Sequence, residues 1–337
     1  MSISHSISRQ VFIGGCGRSG TTLLGAMLGS HPHTICTPES HFKIDLLRSP
    51  LCTTPTIHSG AAVDLIRRHW RFKIWEFPLP ESFLQEAKRD PTYAHLLNTL
   101  VGSYGCTLDE QTTPAHIWID HTPENINYVE TLFHHFPQAK VLHIVRDGRA
   151  VAASIMPLDW GPNSIVKAAR WWMRMVSFGL AAELKFGPDR VLRVRYEDLV
   201  LDPEPILKRI AGFLDIEYDP QMLAATGFRP PSYTTRQHTL VGKKPDAKLA
   251  KRWKQKLSPR EIEIFEHLTY DFLSYMGYEM LHGIRAKAPS FWDLQKGKTV
   301  ELVRGELLNK VKWLIRSYPH WLSRDFLGQA RFTDIKN

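Results

Sequence analysis

Residues 11–24 read VFIGGCGRSGTTLL. Val11, Phe12 and Ile13 are a short apolar, β-type run, Gly14, Gly15, Gly17 and Gly20 supply the turn after it, and two threonines and an apolar helical pattern follow. Strand, glycine turn and helix start together build an anion cradle. Glycines let backbone N–H groups approach a phosphate, and the helix N-terminus adds its positive dipole end. Residues 15–22 match the spacing of a nucleotide-binding P-loop except at one position, where Thr21 stands in place of the lysine expected after Gly20. That lysine would reach the β- and γ-phosphates, and the hydroxyl after it would hold Mg²⁺. Its absence argues against ordinary ATP or GTP chemistry and leaves a phosphate-type cradle with another purpose.

Four more β-type runs follow, at 34–36, 117–120, 140–145 and 190–196, separated by helical patterns. Strands alternating with helices predict an α/β protein, a three-layer P-loop fold with a central parallel sheet flanked by helices. Helices are expected over 124–135 (Thr122 as cap, Pro123 in the first turn), 148–155, 164–186, 203–214 and 259–276. Between 42 and 105 the helical pattern is broken by Pro50, Pro55, Pro78 and Pro80. The stretch 227–252, rich in Pro, Thr and Lys, reads as a long functional loop. Ligands in parallel sheets bind at the carboxyl ends of the strands. Polar candidates stand at four such ends: Arg18 with Thr21, Glu39, Asp120 with His121, and Arg146.

The chain has 337 residues, 43% hydrophobic and 23% charged, which suits a soluble globular protein with an ample core. One domain over 1–284 and a basic, aromatic-rich helical extension over 285–337 are expected. The formal charge is +9, yet 285–337 holds 11 Lys and Arg against 5 Asp and Glu, so +6 belongs to the tail. That distribution argues against a nucleic-acid partner. The start lacks an apolar signal segment, no apolar run is long enough to span a bilayer, and the four cysteines form no C-x-x-C pair. A cytoplasmic protein with reduced thiols is the expectation. The sixteen histidines show no metal-ligand spacing, so no metal is expected. In the tail, Val300, Val303, Leu307, Val311 and Leu314 alternate with Lys298, Arg304, Lys310, Lys312 and Arg316. This basic amphipathic helix either packs on the main domain or docks on a membrane surface or a hydrophobic acceptor.

Several segments carry a family resemblance. GCGRSGTTLL resembles the 5′-phosphosulfate loop of sulfotransferases that use 3′-phosphoadenosine 5′-phosphosulfate (PAPS), and VLHIVRDGRAVAASI resembles their 3′-phosphate motif, with Arg146 and Ser154 in the expected positions. VRYEDLVLDP, and VGKKP followed by Arg252 and Trp253, are similar to later family segments. Their order matches the branch that includes bacterial and tyrosylprotein sulfotransferases, over about residues 11–278. The resemblance implies PAPS as co-substrate, without a metal, and sulfuryl transfer to an acceptor hydroxyl or, less readily, an amine, with release of adenosine 3′,5′-bisphosphate (PAP).

On this basis the missing lysine is explained, since PAPS has no triphosphate. Backbone N–H groups at Gly17 and Gly20, the Arg18 guanidinium and the hydroxyls of Ser19, Thr21 and Thr22 can hold the 5′-phosphosulfate, and help most as charge develops on the bridging oxygen. Arg146 offers a planar fork for the 3′-phosphate and Ser154 a hydroxyl; the alternative for Arg146 is an ion pair with Asp147 or Glu197, the role expected instead of Arg149. The branch implies a basic glutamate 21 residues after the loop arginine, here Glu39. Many relatives have Lys-Thr-Pro where this chain has His121-Thr122-Pro123. His121 is a cation assisting the leaving group, a base, or a plain helix-start residue, with Lys243 or Lys244 then supplying the charge. Asp120 orients His121 or contacts the acceptor. Tyr196 lies near the nucleotide, and Trp171 and Trp172 belong to the core. The acceptor (small molecule, lipid, glycan or peptide) is not encoded in a readable motif. The rival is a P-loop small-molecule kinase, which needs a lysine near Thr21 and a Mg²⁺-binding aspartate such as Asp120.

Overall fold

The computed structural model describes residues 6–53, 56–108, 114–229 and 251–312. Its centre is a five-stranded, all-parallel sheet. In chain order the strands are β1 (Arg9–Gly15), β2 (Thr34–Thr37), β5 (Ile117–Asp120), β6 (Lys140–Val145) and β7 (Val191–Arg195), arranged β2-β5-β1-β6-β7; β3 (Cys52–Thr53) and β4 (Thr56–Ile57) form a small separate hairpin. In register, Phe12 of β1 lies beside Asp120 on one side and Val141 on the other. All five expected strands are present.

The central strands are buried on both faces, so each apolar run feeds two cores by its twofold alternation. Phe12, Trp118 and Val141 enter one cluster, while Val11, Ile13, Ile119, Leu142 and Ile144 enter the other. The first core is covered by α8 (Gly148–Ile155), α9 (Ile165–Phe186) and α13 (Pro259–Tyr275), and by the helices of the 42–105 segment: α2 (Phe42–Arg48), α3 (Ser59–Arg68), α4 (Trp70–Lys73), α5 (Phe83–Arg89) and α6 (Tyr93–Gly105). The second is covered by α1 (Thr21–Gly29), α10 (Tyr196–Leu201) and α11 (Pro203–Phe213). Helix, sheet and helix make the three layers.

Two local expectations change. The helix expected over 124–135 opens as a 3₁₀ stretch, Pro123–Tyr128, before α7 (Val129–His135), and Thr122 does not cap it. Its hydroxyl turns back to the Asp120 carboxylate, a short aspartate–threonine bond that competes with the cap. The strand expected to run to Tyr196 stops at Arg195, because Tyr196 starts α10.

Arg149 ties the first core together, in the ion-pairing role expected of it. Its guanidinium is buried, pairs with Asp147 at 2.8 Å and with Glu266 of α13, and stacks on Trp253 at 4.0 Å. Glu266 also accepts the N–H groups of Leu281 and His282. Removing one partner of a buried pair strands the other charge, so Glu266→Ala is expected to cost about 3 kcal/mol of unfolding free energy, measured by urea titration. A change within experimental error would show that Asp147 alone satisfies Arg149.

Candidate active site

The site is built where β1 ends. Arg18 takes a left-handed backbone, φ 69°, and Gly20 follows at φ 99°. Gly20 opens α1 without a side-chain cap, so the first N–H groups of α1 are left for a ligand. A Cβ on Gly20 would lie 2.5 Å from the Tyr196 ring, so this position admits glycine alone. Ser19 is completely buried, and among the described residues its hydroxyl has no hydrogen-bond partner. An unsatisfied buried hydroxyl in an N–H-rich loop is what an anion site leaves open before it fills. Trp171 is half-buried, and a Cβ on Gly17 would lie 3.1 Å from its ring and 3.8 Å from that of Trp160. Trp172 is wholly core, but Trp171 therefore walls the loop, which its place on a core helix did not suggest.

The second motif meets the first directly. Arg18 donates from Nε to Ser154 Oγ at 3.2 Å, and Arg146 donates to the Arg18 carbonyl at 2.9 Å. The Arg146 guanidinium lies 4.2 Å above the Tyr196 ring, and its Nε is buried with no hydrogen-bond partner among the described residues. Burial, and then the neighbouring charge of Arg146, hold the Arg18 guanidinium below its ordinary pKa. The ion-pair alternative for Arg146 is not realised. Asp147 is taken by Arg149, and Glu197 accepts from the Asp147 N–H and the Tyr278 hydroxyl.

Glu39 stands just beyond β2, close enough to Arg18 and His121 for their charges to act on it. His41 Nε2 lies 3.1 Å and Arg71 3.4 Å from its carboxylate, and Trp75 donates to its carbonyl at 3.2 Å. Burial opposes the ionised form, but the His41 hydrogen bond and the charges of His41, Arg71 and His121 outweigh it and hold Glu39 well below the usual carboxylate range. The other His41 nitrogen faces Glu124 at 3.7 Å.

His121 is buried at the end of β5, packed edge-on against Phe228 at 4.6 Å and over Gly25 of α1, and among the described residues its ring nitrogens meet no other side chain within hydrogen-bond reach. Burial lowers its pKa, against the pull of Glu39 and Asp120. Asp120 does not orient it. That carboxylate is held by Lys43 at 2.8 Å, by the Thr122 N–H at 2.9 Å and by the hydroxyls of Ser40 and Thr122. Burial penalises its charge, but Lys43 and these hydrogen bonds bring the pKa down to about 2. Among the described residues no cluster of three or more His, Cys, Asp or Glu is placed to hold a metal ion.

With the glycine cradle, the two arginines and the strand-end glutamate on one rim, the family assignment follows. The profile of the Sulfotransferase family matches residues 10–220. The chain belongs to that family. Protein-tyrosine sulfotransferase of Drosophila melanogaster is 27% identical over 219 residues, covering 63% of this chain and 39% of that protein. Protein-tyrosine sulfotransferase A of Caenorhabditis elegans is 28% identical over 225 residues, covering 63% of this chain and 51% of that one. This sulfotransferase-family chain thus spans between about two-fifths and one half of the length of these relatives. Its fold is that of the sulfotransferase domain from the Synechococcus PCC 7002 olefin synthase, with a TM-score of 0.56 at 24% identity over 82% of this chain and 97% of that one. The sulfotransferase domain from the curacin biosynthetic pathway gives 0.55 at 17% identity, over 82% and 100%.

The structure thus gathers Gly17, Arg18, Ser19, Gly20, Thr21, Thr22, Arg146, Ser154 and Tyr196 at one rim, with Glu39 close enough to act on Arg18 and His121 close enough to act on Glu39. Lys243 and Lys244 lie outside the described residues. Sequence reasoning missed Lys43, His41 and Arg71. The first two were signalled by their spacing, Lys43 four and His41 two residues after Glu39; Arg71 lies 32 residues from Glu39 and carried no signal.

The Asp120 network gives a pH test. A carboxyl whose folded pKa lies below its unfolded value stabilises the protein above the unfolded range, near pH 4, and that contribution is lost as pH falls toward about 2. Asp120→Asn is expected to flatten this part of the stability curve, measured by urea unfolding between about pH 2 and 5. A curve parallel to wild type would mean that other carboxylates carry the acid sensitivity.

Proposed function

We propose that this protein transfers a sulfuryl group from PAPS to an acceptor hydroxyl and releases PAP. One observation supports this most: a donor-only cradle without the P-loop lysine is joined, through Arg18, to a second cationic clamp at Arg146 and Ser154. One group suits the 5′-phosphosulfate and the other a separate 3′-phosphate. PAPS supplies an activated sulfuryl group on a good leaving phosphate. Gly17, Ser19, Gly20, Thr21, Thr22 and the N-terminus of α1 would hold the 5′ end, while Arg146, stacked on Tyr196, and Ser154 would hold the 3′ end. Arg18 would stabilise charge on the bridging oxygen as its bond to sulfur breaks. Glu39 would take the acceptor proton as the acceptor oxygen bonds to sulfur. It is ionised throughout the neutral range, and so always able to accept. His121, whose ring nitrogens meet no other side chain within hydrogen-bond reach among the described residues, is the further polar group, as a donor to the leaving oxygen or as a base; Lys243 and Lys244 are the alternative charges. Cys16, Cys36 and Cys52, which form no disulfide, suit a reducing cytoplasm. The kinase reading is not favoured. Thr21 stands where the lysine is needed, and Asp120 is engaged by Lys43.

The binding test uses thermal shift. PAP is expected to raise Tm without Mg²⁺, and Arg146→Ala to abolish that shift; preferential stabilisation by MgATP would overturn the proposal. The base is tested separately with labelled PAPS and cell-extract acceptors. Loss of a general base costs about 10²–10⁴ in rate, so Glu39→Gln is expected to lose at least about a hundredfold while keeping the PAP shift. Undiminished transfer would remove Glu39 from the role.

A further inference from the structure

Helix α14 (Phe291–Val300) continues without a break through widened turns at Glu301–Leu308 to residue 312. It is held to the body by its polar side. The Glu301 carboxylate accepts the N–H groups of Asn163 and Ser164, each at 2.7 Å, and pairs with Lys167 at 2.9 Å. A carboxylate there caps the open N-terminus of α9 and meets its dipole. Asn309 donates to Asn163 at 3.0 Å, and Arg304 to the Pro157 carbonyl at 2.7 Å. Gly297 and Gly305 face Ser164 and Asn163, so the helix lies close.

This attachment turns the apolar side outward. Trp292 is 77%, Leu302 60% and Leu307 58% exposed, with Val303 and Val311 beside them. Of thirteen exposed large apolar side chains among the described residues, seven lie on this one helix, which makes it a patch rather than scatter. Lys296, Lys298 and Lys312 are exposed on the same helix. A second copy packed face to face would set these lysines against their own kind. The 25 residues after 312 carry four Lys and Arg against two Asp and Glu, so they too share the sign of the helix. A negatively charged surface is the complement, and an apolar stripe flanked by lysines suits a lipid interface.

We propose that the 291–312 helix is a docking element for an anionic lipid surface, with its apolar side at the acyl boundary and its lysines among the headgroups. The segment after it adds Trp313, Tyr318 and Trp321, residue types enriched at such interfaces. Arg304 fastens the helix to Pro157, three residues after Ser154, and Trp160 in the same loop abuts Gly17. Docking therefore brings the phosphate-loop rim beside the bilayer. The polar side of the helix packs on the body, and docking is proposed for the opposite side.

The test is co-sedimentation of the full chain with vesicles of 70:30 phosphatidylcholine and phosphatidylserine, and with phosphatidylcholine alone. Wild type is expected to bind the anionic vesicles and to be released by salt. The combined variant Val303→Glu, Leu307→Glu, Val311→Glu spares the Glu301 latch. It is expected to lose binding while keeping Tm and the PAP-induced shift. Lys298→Glu with Lys312→Glu should weaken binding at least about twentyfold, at roughly 1 kcal/mol per basic residue near the surface. No binding by wild type overturns the proposal. So does a triple variant that binds normally, that loses Tm (the face being covered by the chain itself), or that converts a dimer to a monomer in light scattering.

Discussion

Two guanidinium groups held at one rim of the sheet are the constraint around which the site is organised. Arg18 and Arg146 form no ion pair among the described residues, and burial and the charge of Arg146 hold Arg18 below its ordinary pKa. Such a pair persists only when the scaffold over-determines it. Here β1 and β6 are adjacent and in register, Gly20 admits the Tyr196 ring, and that ring supports Arg146 from below. Arg149, three residues on, makes the contrast. It is deeply buried, but two carboxylates neutralise it, so it serves packing. The unneutralised pair is the one left for an anionic ligand.

Glu39 poses the complementary problem. A carboxylate kept well below its usual range is a weak base toward a free alcohol. The same surroundings resolve this. In the proposed reaction the Arg71 guanidinium beside Glu39 would also favour the anionic sulfuryl group, and the acceptor oxygen would lose its proton readily only as its bond to sulfur forms. Proton transfer late along the reaction needs an acceptor that is already ionised and positioned more than one that is strongly basic. Position is secured from both ends of the turn: Trp75 fixes the Glu39 carbonyl, and Ser40 binds Thr122 through its N–H and Asp120 through its hydroxyl. Lys43 completes the arrangement beneath.

The fold was largely legible in the sequence because its determinants are local. Five apolar runs of strand length, a glycine turn and alternating helices leave few architectures open; the strand at Lys140–Val145 matches its expected bounds and the helix after it ends at Ile155 as expected. The site was legible only where a motif is contiguous. Arg18, Arg146 and Ser154 sit within short signatures, whereas Arg71 reaches Glu39 through the tertiary placement of α4. The failed Thr122 cap has a similar cause. A hydroxyl one residue beyond His121 had two partners available, and the choice of Asp120 over the helix start depends on Lys43 being buried beneath that carboxylate.

The tail helix shows where periodicity misleads. A stripe of apolar residues normally marks the face that packs, because burying it removes apolar area from water. In the 291–312 helix Leu294 packs against the first core, but the fastening contacts are polar and glycine-lined, because the surface offered to it is the N-terminal end of α9 with the N–H groups of Asn163 and Ser164. Glu301 meets that demand at a position the stripe leaves free, and it fixes which side faces outward. The sequence pattern therefore reports amphipathicity correctly but not its polarity relative to the body. That polarity is decided by one carboxylate and the helix end it caps.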